Sequence, residues 1–127
     1  MESGILIIAH GSRVESARYI AAQVAEKIKK LKNTKNVKVA FMEFNQPDIP
    51  ASIDEFVKEG ILDIVAVPMF LFEGNHILHD IPEILKKKKE RYPDLRILLA
   101  KPIGYDDRLV EIIIERAEEA RRYSASN

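Results

Sequence analysis

Gly4-Ile5-Leu6-Ile7-Ile8-Ala9-His10-Gly11-Ser12-Arg13 is the stretch on which the fold turns. Ile5 to Ala9 is wholly apolar and is closed by a glycine, the pattern of a short strand covered on both faces in the middle of a parallel sheet. Immediately downstream, Val14, Ala17, Ala21, Val24, Ala25, Ile28 and Leu31 recur at helical spacing, while Glu15, Arg18, Gln23, Lys27 and Lys30 occupy the rest of the wheel. A buried strand followed directly by an amphipathic helix begins a βα unit.

The same alternation continues to the end of the chain. Val37, Val39 and Phe41 alternate with Lys38, Ala40 and Met42, which predicts a second strand nearer an edge. Asp48-Ile49-Pro50 supplies a cap and a first-turn proline for a helix that Gly60 stops. Ile64 to Val67 predicts a third strand, followed by a long apolar and glycine-containing loop through Asn75. Asp80-Ile81-Pro82-Glu83 combines an N-cap, an early proline and a capping-box glutamate, predicting a third helix that starts at Asp80 and leaves His76 on the loop. Leu95 and Ile97 to Leu99 form a fourth strand, and a last helix from Asp107 is expected to bury Leu109, Ile112, Ile113, the stem of Arg116, Ala117 and Ala120.

Four βα units predict one α/β domain over residues 1–127, with a four-stranded parallel sheet and helices on both faces. The expected strand order is 2-1-3-4, half of a flavodoxin-like sheet, which sets strands 1 and 3 side by side at the switch point. His10 and His76 each follow an apolar run, and the chain has only three histidines. Because the carboxyl ends of parallel strands share one edge, the loops carrying these two histidines are expected to meet there.

Composition narrows the chemistry. The 127 residues, 46% of them hydrophobic, suffice for one core. Lys plus Arg and Asp plus Glu balance at 20 each, which argues against nucleic acid as a partner. Lys86 to Lys89 has no aromatic interleaving and reads as a solvated helix face. Without cysteine there is neither a thiolate metal site nor a cysteine nucleophile, so a metal must be held by His, carboxylate or water. The longest apolar stretch, Ile64 to Phe72, is far short of the roughly 20 residues of a membrane span, and Met1-Glu2-Ser3 lacks the basic start of a signal peptide. A soluble cytoplasmic protein is expected.

Several side chains around the predicted edge are chemically competent. His10 follows the strand with a helix N-terminus behind it; it either ligates and exchanges protons or only hydrogen-bonds a turn carbonyl. Gly74 allows close approach of backbone to a ligand, and successive amides of such a loop form an anion nest. His76 and His79 have a spacing that chelates a metal on a helix, but His79 reads as a solvent-facing bystander. Glu43, at the end of the second strand, is a base or a rim charge, and Gln46 can donate a hydrogen bond to a carboxylate.

Ala9-His10-Gly11-Ser12-Arg13, Val39-Ala40-Phe41-Met42-Glu43, Val67-Pro68-Met69-Phe70-Leu71 through Gly74-Asn75-His76, and Asp80-Ile81-Pro82 together resemble, in order and spacing, the short archaeal form of the class II tetrapyrrole chelatases. These are the CbiX-type sirohydrochlorin cobaltochelatases, and the resemblance covers nearly the whole chain. It implies insertion of a divalent metal, typically cobalt, into sirohydrochlorin in cobalamin biosynthesis, with His10 and His76 as metal ligands and His10 also as catalytic proton acceptor. It further implies substrate contacts through Leu71, Phe72, Glu73, Gly74, Asn75 and His76, with Gln46 at a substrate-contacting position. Co²⁺ would be substrate with no permanently bound cofactor; related archaeal members insert nickel on the route to coenzyme F430. Since longer members resemble two such domains fused, a symmetric homodimer is the expectation for the short form.

Two histidines fit such a reaction physically. Imidazole titrates near neutral pH, so it can accept a pyrrole proton, and two imidazoles plus water leave the open coordination positions that transfer requires. Two other readings use the same residues: a phosphohistidine enzyme with His10 as nucleophile, which lacks an arginine immediately before the histidine, and a non-catalytic carrier of metal or tetrapyrrole.

Overall fold

The computed structural model describes residues 2–72 and 74–126, and their side chains other than those of 75–78 and 124–126. Strands and helices alternate strictly: β1 (Ser3–Ala9), α1 (Glu15–Lys32), β2 (Val37–Phe41), α2 (Ile49–Lys58), β3 (Asp63–Pro68), α3 (Asn75–Arg91), β4 (Arg96–Leu99) and α4 (Asp107–Ser126). The strands form one parallel sheet in the expected order β2-β1-β3-β4. β1 and β3 are direct neighbours, with Ile5 opposite Val65 and Ile8 opposite Pro68.

The pleat divides the side chains of the sheet between two layers. On one face Leu6, Ile8, Ala40, Ile64, Ala66 and Ile97 pack against Ile49, Ile53 and Phe56 of α2 and Ile81 and Leu85 of α3. On the other, Ile7 and Val37 pack against Ala25 of α1, and Ala9 and Phe41 pack on Ala21. α2 begins as its sequence predicts: the Asp48 carboxylate accepts from the Ala51 N–H at 2.9 Å, with Pro50 in the first turn. Asp54 ties α2 to α3 by accepting from Lys88 Nζ at 2.6 Å and from the Tyr92 hydroxyl at 2.7 Å.

Two expectations are corrected. α3 starts at Asn75 rather than Asp80, so His76 has helical backbone and Pro82 lies inside the helix. A proline there removes one backbone bond, at a cost of about 3 kcal/mol. Here its ring is exposed, while Ile81 and Leu85 on either side of it are buried and hold the helix to the sheet. Tertiary packing thus overrides the local start signal at Asp80. The second correction concerns α4. It packs against no other helix or strand among the described residues, and Ile112 and Ile113, expected to be buried, are exposed, as are Arg116, Ala117 and Ala120. Leu109 is half-buried. The helices that cover the sheet faces are α1 on one side and α2 and α3 on the other.

Candidate active site

The carboxyl ends of β1, β2 and β3 are joined just beyond the sheet ladder. Met42 N–H donates to the Ala9 carbonyl at 2.9 Å, Glu43 N–H to the His10 carbonyl at 3.1 Å, and Met69 N–H to the Ile8 carbonyl at 2.7 Å. This fixes the backbone of His10 between its two neighbouring strands. Gly11 then turns the chain away with φ +91°, and a β-carbon at that position would overlap the Glu43 carbonyl oxygen. Only glycine fits there, for conformational and steric reasons together.

The turn after His10 is held by side chains as well. Asn45 Oδ1 accepts from the Ser12 N–H at 2.8 Å, and Ser12 Oγ accepts from the Val14 N–H at 3.0 Å, satisfying amides at the start of α1. With the backbone immobilised, the His10 imidazole stands exposed at the edge, its centroid 4.6 Å from the ring of Phe70 and tilted by 46°. Phe70 is buried and limits where the imidazole can turn. The Arg13 guanidinium lies 4.9 Å from the centroid of Phe44, an exposed residue with φ +66°.

Beyond Phe70, Leu71 and Phe72 are exposed, and Gly74 is the extended residue from which α3 sets out. The connection from β4 joins the same edge, with Ile103 N–H donating to the Pro68 carbonyl at 3.3 Å and Gly104 N–H to the Phe70 carbonyl at 3.2 Å. The segments that leave the carboxyl ends of the strands carry the exposed apolar side chains Val14, Phe44, Leu71, Phe72, Ile103 and Tyr105.

Glu43 and Gln46 are exposed in the segment leading from β2 to α2, close in sequence to the Asn45 that braces the His10 turn. His79 is exposed on α3. Glu73 and the side chains of Asn75 and His76 lie outside the described residues, and among the described ones no group of three His, Asp or Glu is disposed to hold a metal. Sequence reasoning missed Asn45 and the contact between His10 and Phe70. An asparagine just past a strand end is a known backbone-bonding signal, which would have found the former; the ring contact has no local signal.

The four-stranded parallel sheet of this order is the fold of solved chelatases. The chain superposes on the sirohydrochlorin chelatase SirB from Bacillus subtilis subspecies spizizenii, solved in complex with cobalt, with a TM-score of 0.85 and 35% identity over 94% of this chain and 51% of that one. It superposes on a CbiX protein from Marinobacter aquaeolei VT8 with a TM-score of 0.79 and 25% identity, covering 96% of this chain and 99% of the other. The family model described as CbiX matches residues 4–120, and the chain belongs to that family.

Among curated relatives, the sirohydrochlorin cobaltochelatase of Sulfurisphaera tokodaii is 36% identical over 121 residues, covering 95% of this chain and 96% of the relative. That of Methanococcus aeolicus is 34% identical over 138 residues, covering 90% and 96%. The sirohydrochlorin ferrochelatase of Priestia megaterium is 36% identical over 115 residues, which are 91% of this chain and only 43% of the longer relative.

Proposed function

We propose that this protein is a sirohydrochlorin chelatase that inserts a divalent metal, cobalt above all, and that it works as a homodimer. The observation that carries the reading is the His10 imidazole, held by a braced turn at the carboxyl edge of the sheet beside the β3–α3 loop, in a chain of the CbiX family. The relatives matched along 96% of their length are named cobaltochelatases, which supports cobalt.

Insertion replaces two pyrrole N–H protons by one divalent cation bound to four ring nitrogens. His10 and His76, the latter from the first turn of α3, ligate the incoming metal; as the metal passes to the ring nitrogens His10 gives up that bond and accepts one of the two protons, and the other passes to water. Two imidazole ligands hold a borderline cation firmly enough to bind it and leave positions open for the ring nitrogens. The macrocycle rests on the apolar rim of Leu71 and Phe72. Its carboxylates are met by Gln46 and by the backbone amides at Gly74, Asn75 and His76, where the N-terminus of α3 favours anions. Nickel uses the same ligands, and the metal is substrate, with no permanently bound cofactor.

Anaerobic mixing of the protein with sirohydrochlorin and Co²⁺ tests this directly, followed by the absorbance change of metal insertion, with Ni²⁺ and Fe²⁺ in parallel. The expected result is acceleration over the uncatalysed reaction, greatest with Co²⁺, and loss of most of it in His10→Ala and in His76→Ala. Unchanged rates in both variants refute the assignment. Binding of metal or tetrapyrrole without acceleration identifies a carrier instead.

A further inference from the structure

We infer that Arg13, stacked on Phe44, is a carboxylate-binding residue that fixes the orientation of the macrocycle over His10 and selects tetrapyrroles whose acid side chains are free. The inference rests on the proposed function above and adds to it a fixed charge that meets the rim of the substrate.

Phe44 is anomalous in two respects. It is a bulky residue with φ +66°, in the left-handed region that is strained for L-residues, and its ring is 57% exposed. It belongs to none of the clusters that build the core. The turn that holds it is nonetheless firmly built. Glu43 N–H donates to the His10 carbonyl at 3.1 Å, Asn45 N–H donates to the Glu43 carbonyl at 2.8 Å, and Asn45 Oδ1 accepts from the Ser12 N–H at 2.8 Å. Phe44 is thus clasped on both sides to the turn that carries His10. A strained backbone persists only where its surroundings over-determine it, and such positions cluster at ligand clamps. What the exposed ring holds is the Arg13 guanidinium, 4.9 Å from its centroid.

Among the described residues that guanidinium meets no carboxylate. By contrast, Arg18 lies 3.7 Å from Glu15, and Arg108 is held by Asp106 at 2.7 Å. Stacking on an aromatic ring engages the flat of a guanidinium and leaves its in-plane N–H groups free, the fork that a carboxylate accepts in bidentate form. The cation is also within reach of the reaction. Three residues of chain separate Arg13 from His10, a span of at most about 10 Å between their backbones. A macrocycle centred on His10 carries its acid chains at its rim, so a guanidinium set to one side of the imidazole meets a carboxylate there. The chain has no net charge to attract a polyanion, with 20 basic residues against 20 acidic ones, so selectivity for free acids has to come from a local cation.

The test compares binding of metal-free sirohydrochlorin with binding of its methyl ester, both followed by absorbance, and measures KM and kcat for Co²⁺ insertion in parallel. Arg13→Ala should weaken binding of the acid and raise its KM about 10-fold, with kcat held within about 3-fold, and should leave binding of the ester unchanged. Arg13→Lys keeps the charge without the fork and should recover only part of the loss. Phe44→Gly removes the left-handed strain, so its urea midpoint should be no lower than that of the parent while its KM rises. Arg18→Ala is the control for an exposed cation on the same helix and should bind as the parent does. An unchanged KM in Arg13→Ala, or an equal loss for acid and ester, overturns the inference and leaves metal insertion standing. A lowered urea midpoint in both Arg13→Ala and Phe44→Gly makes the pair a structural clasp and overturns it too. A parent protein that binds neither macrocycle refutes the proposed function and the inference together.

Discussion

Gly11 and Glu43 are in backbone contact so close that the residue after His10 has no room for a side chain, and its φ of +91° lies where L-residues are strained. The contact locks the end of β1 to the end of β2 and thereby sets the direction from which His10 projects. Gly11→Ala is expected to destabilise the fold by about 3 kcal/mol, combining left-handed strain with steric overlap. Gly60, with φ +83° and open space where a β-carbon would stand, is the control: Gly60→Ala should cost about 1 kcal/mol. Urea midpoints compare the two, and equal losses would show that the Glu43 contact is unimportant.

The ring of Phe70 restrains the His10 imidazole while filling core space. Phe70→Leu keeps most of the apolar volume, so the protein should fold with a loss of about 1 kcal/mol. Losing the ring contact should slow metal insertion roughly 3- to 10-fold, the range of a single aromatic interaction. NMR titration of His10 in the variant checks that the effect runs through the imidazole. An unchanged rate would make Phe70 merely a core residue.

Asn45 is predicted to matter through its oxygen alone. Asn45→Ala leaves the Ser12 N–H without its acceptor and should cost about 1 kcal/mol, whereas Asn45→Asp retains the oxygen and should recover most of that stability. Thermal or urea unfolding of both variants decides the point; equal destabilisation would indicate that the amide nitrogen or the packing is what counts.

Asp54 gives a pH dependence of known sign. The hydrogen bond from Lys88, aided by that from Tyr92, holds its carboxyl below the ordinary value of 3.8 in the folded state. Protons therefore bind the unfolded chain first, and the stabilisation is full above that ordinary value and is lost as pH falls through the lower folded value. The pair is largely solvent-screened, so Asp54→Asn should cost less than about 1 kcal/mol at pH 7 and essentially nothing at pH 2. Denaturation curves at the two pH values test this. A deficit that persisted at pH 2 would point to packing instead of charge.

Much of the fold was legible because it is written in short-range patterns. Ile5 to Ala9 has the pattern of a strand covered on both faces, the Asp48-Ile49-Pro50 start of α2 follows from capping chemistry, and the expected order β2-β1-β3-β4 is the one found. The position of His10 at the carboxyl edge of the sheet follows from the same reading, because it directly succeeds a central parallel strand.

What the tertiary structure decided depends on surfaces that no local pattern encodes. α3 begins before Asp80 and runs through Pro82, whose cost is offset by the burial of Ile81 and Leu85 in the same helix. Phe70 restrains His10 across a strand boundary, and Asn45 reaches Ser12 over 33 residues of sequence, contacts created only when β1, β2 and β3 align. The amphipathic pattern of α4 correctly marked an apolar stripe but could not name the surface that covers it. Periodicity records that a face is apolar; only the spatial arrangement shows that the helix lies off its own sheet among the described residues.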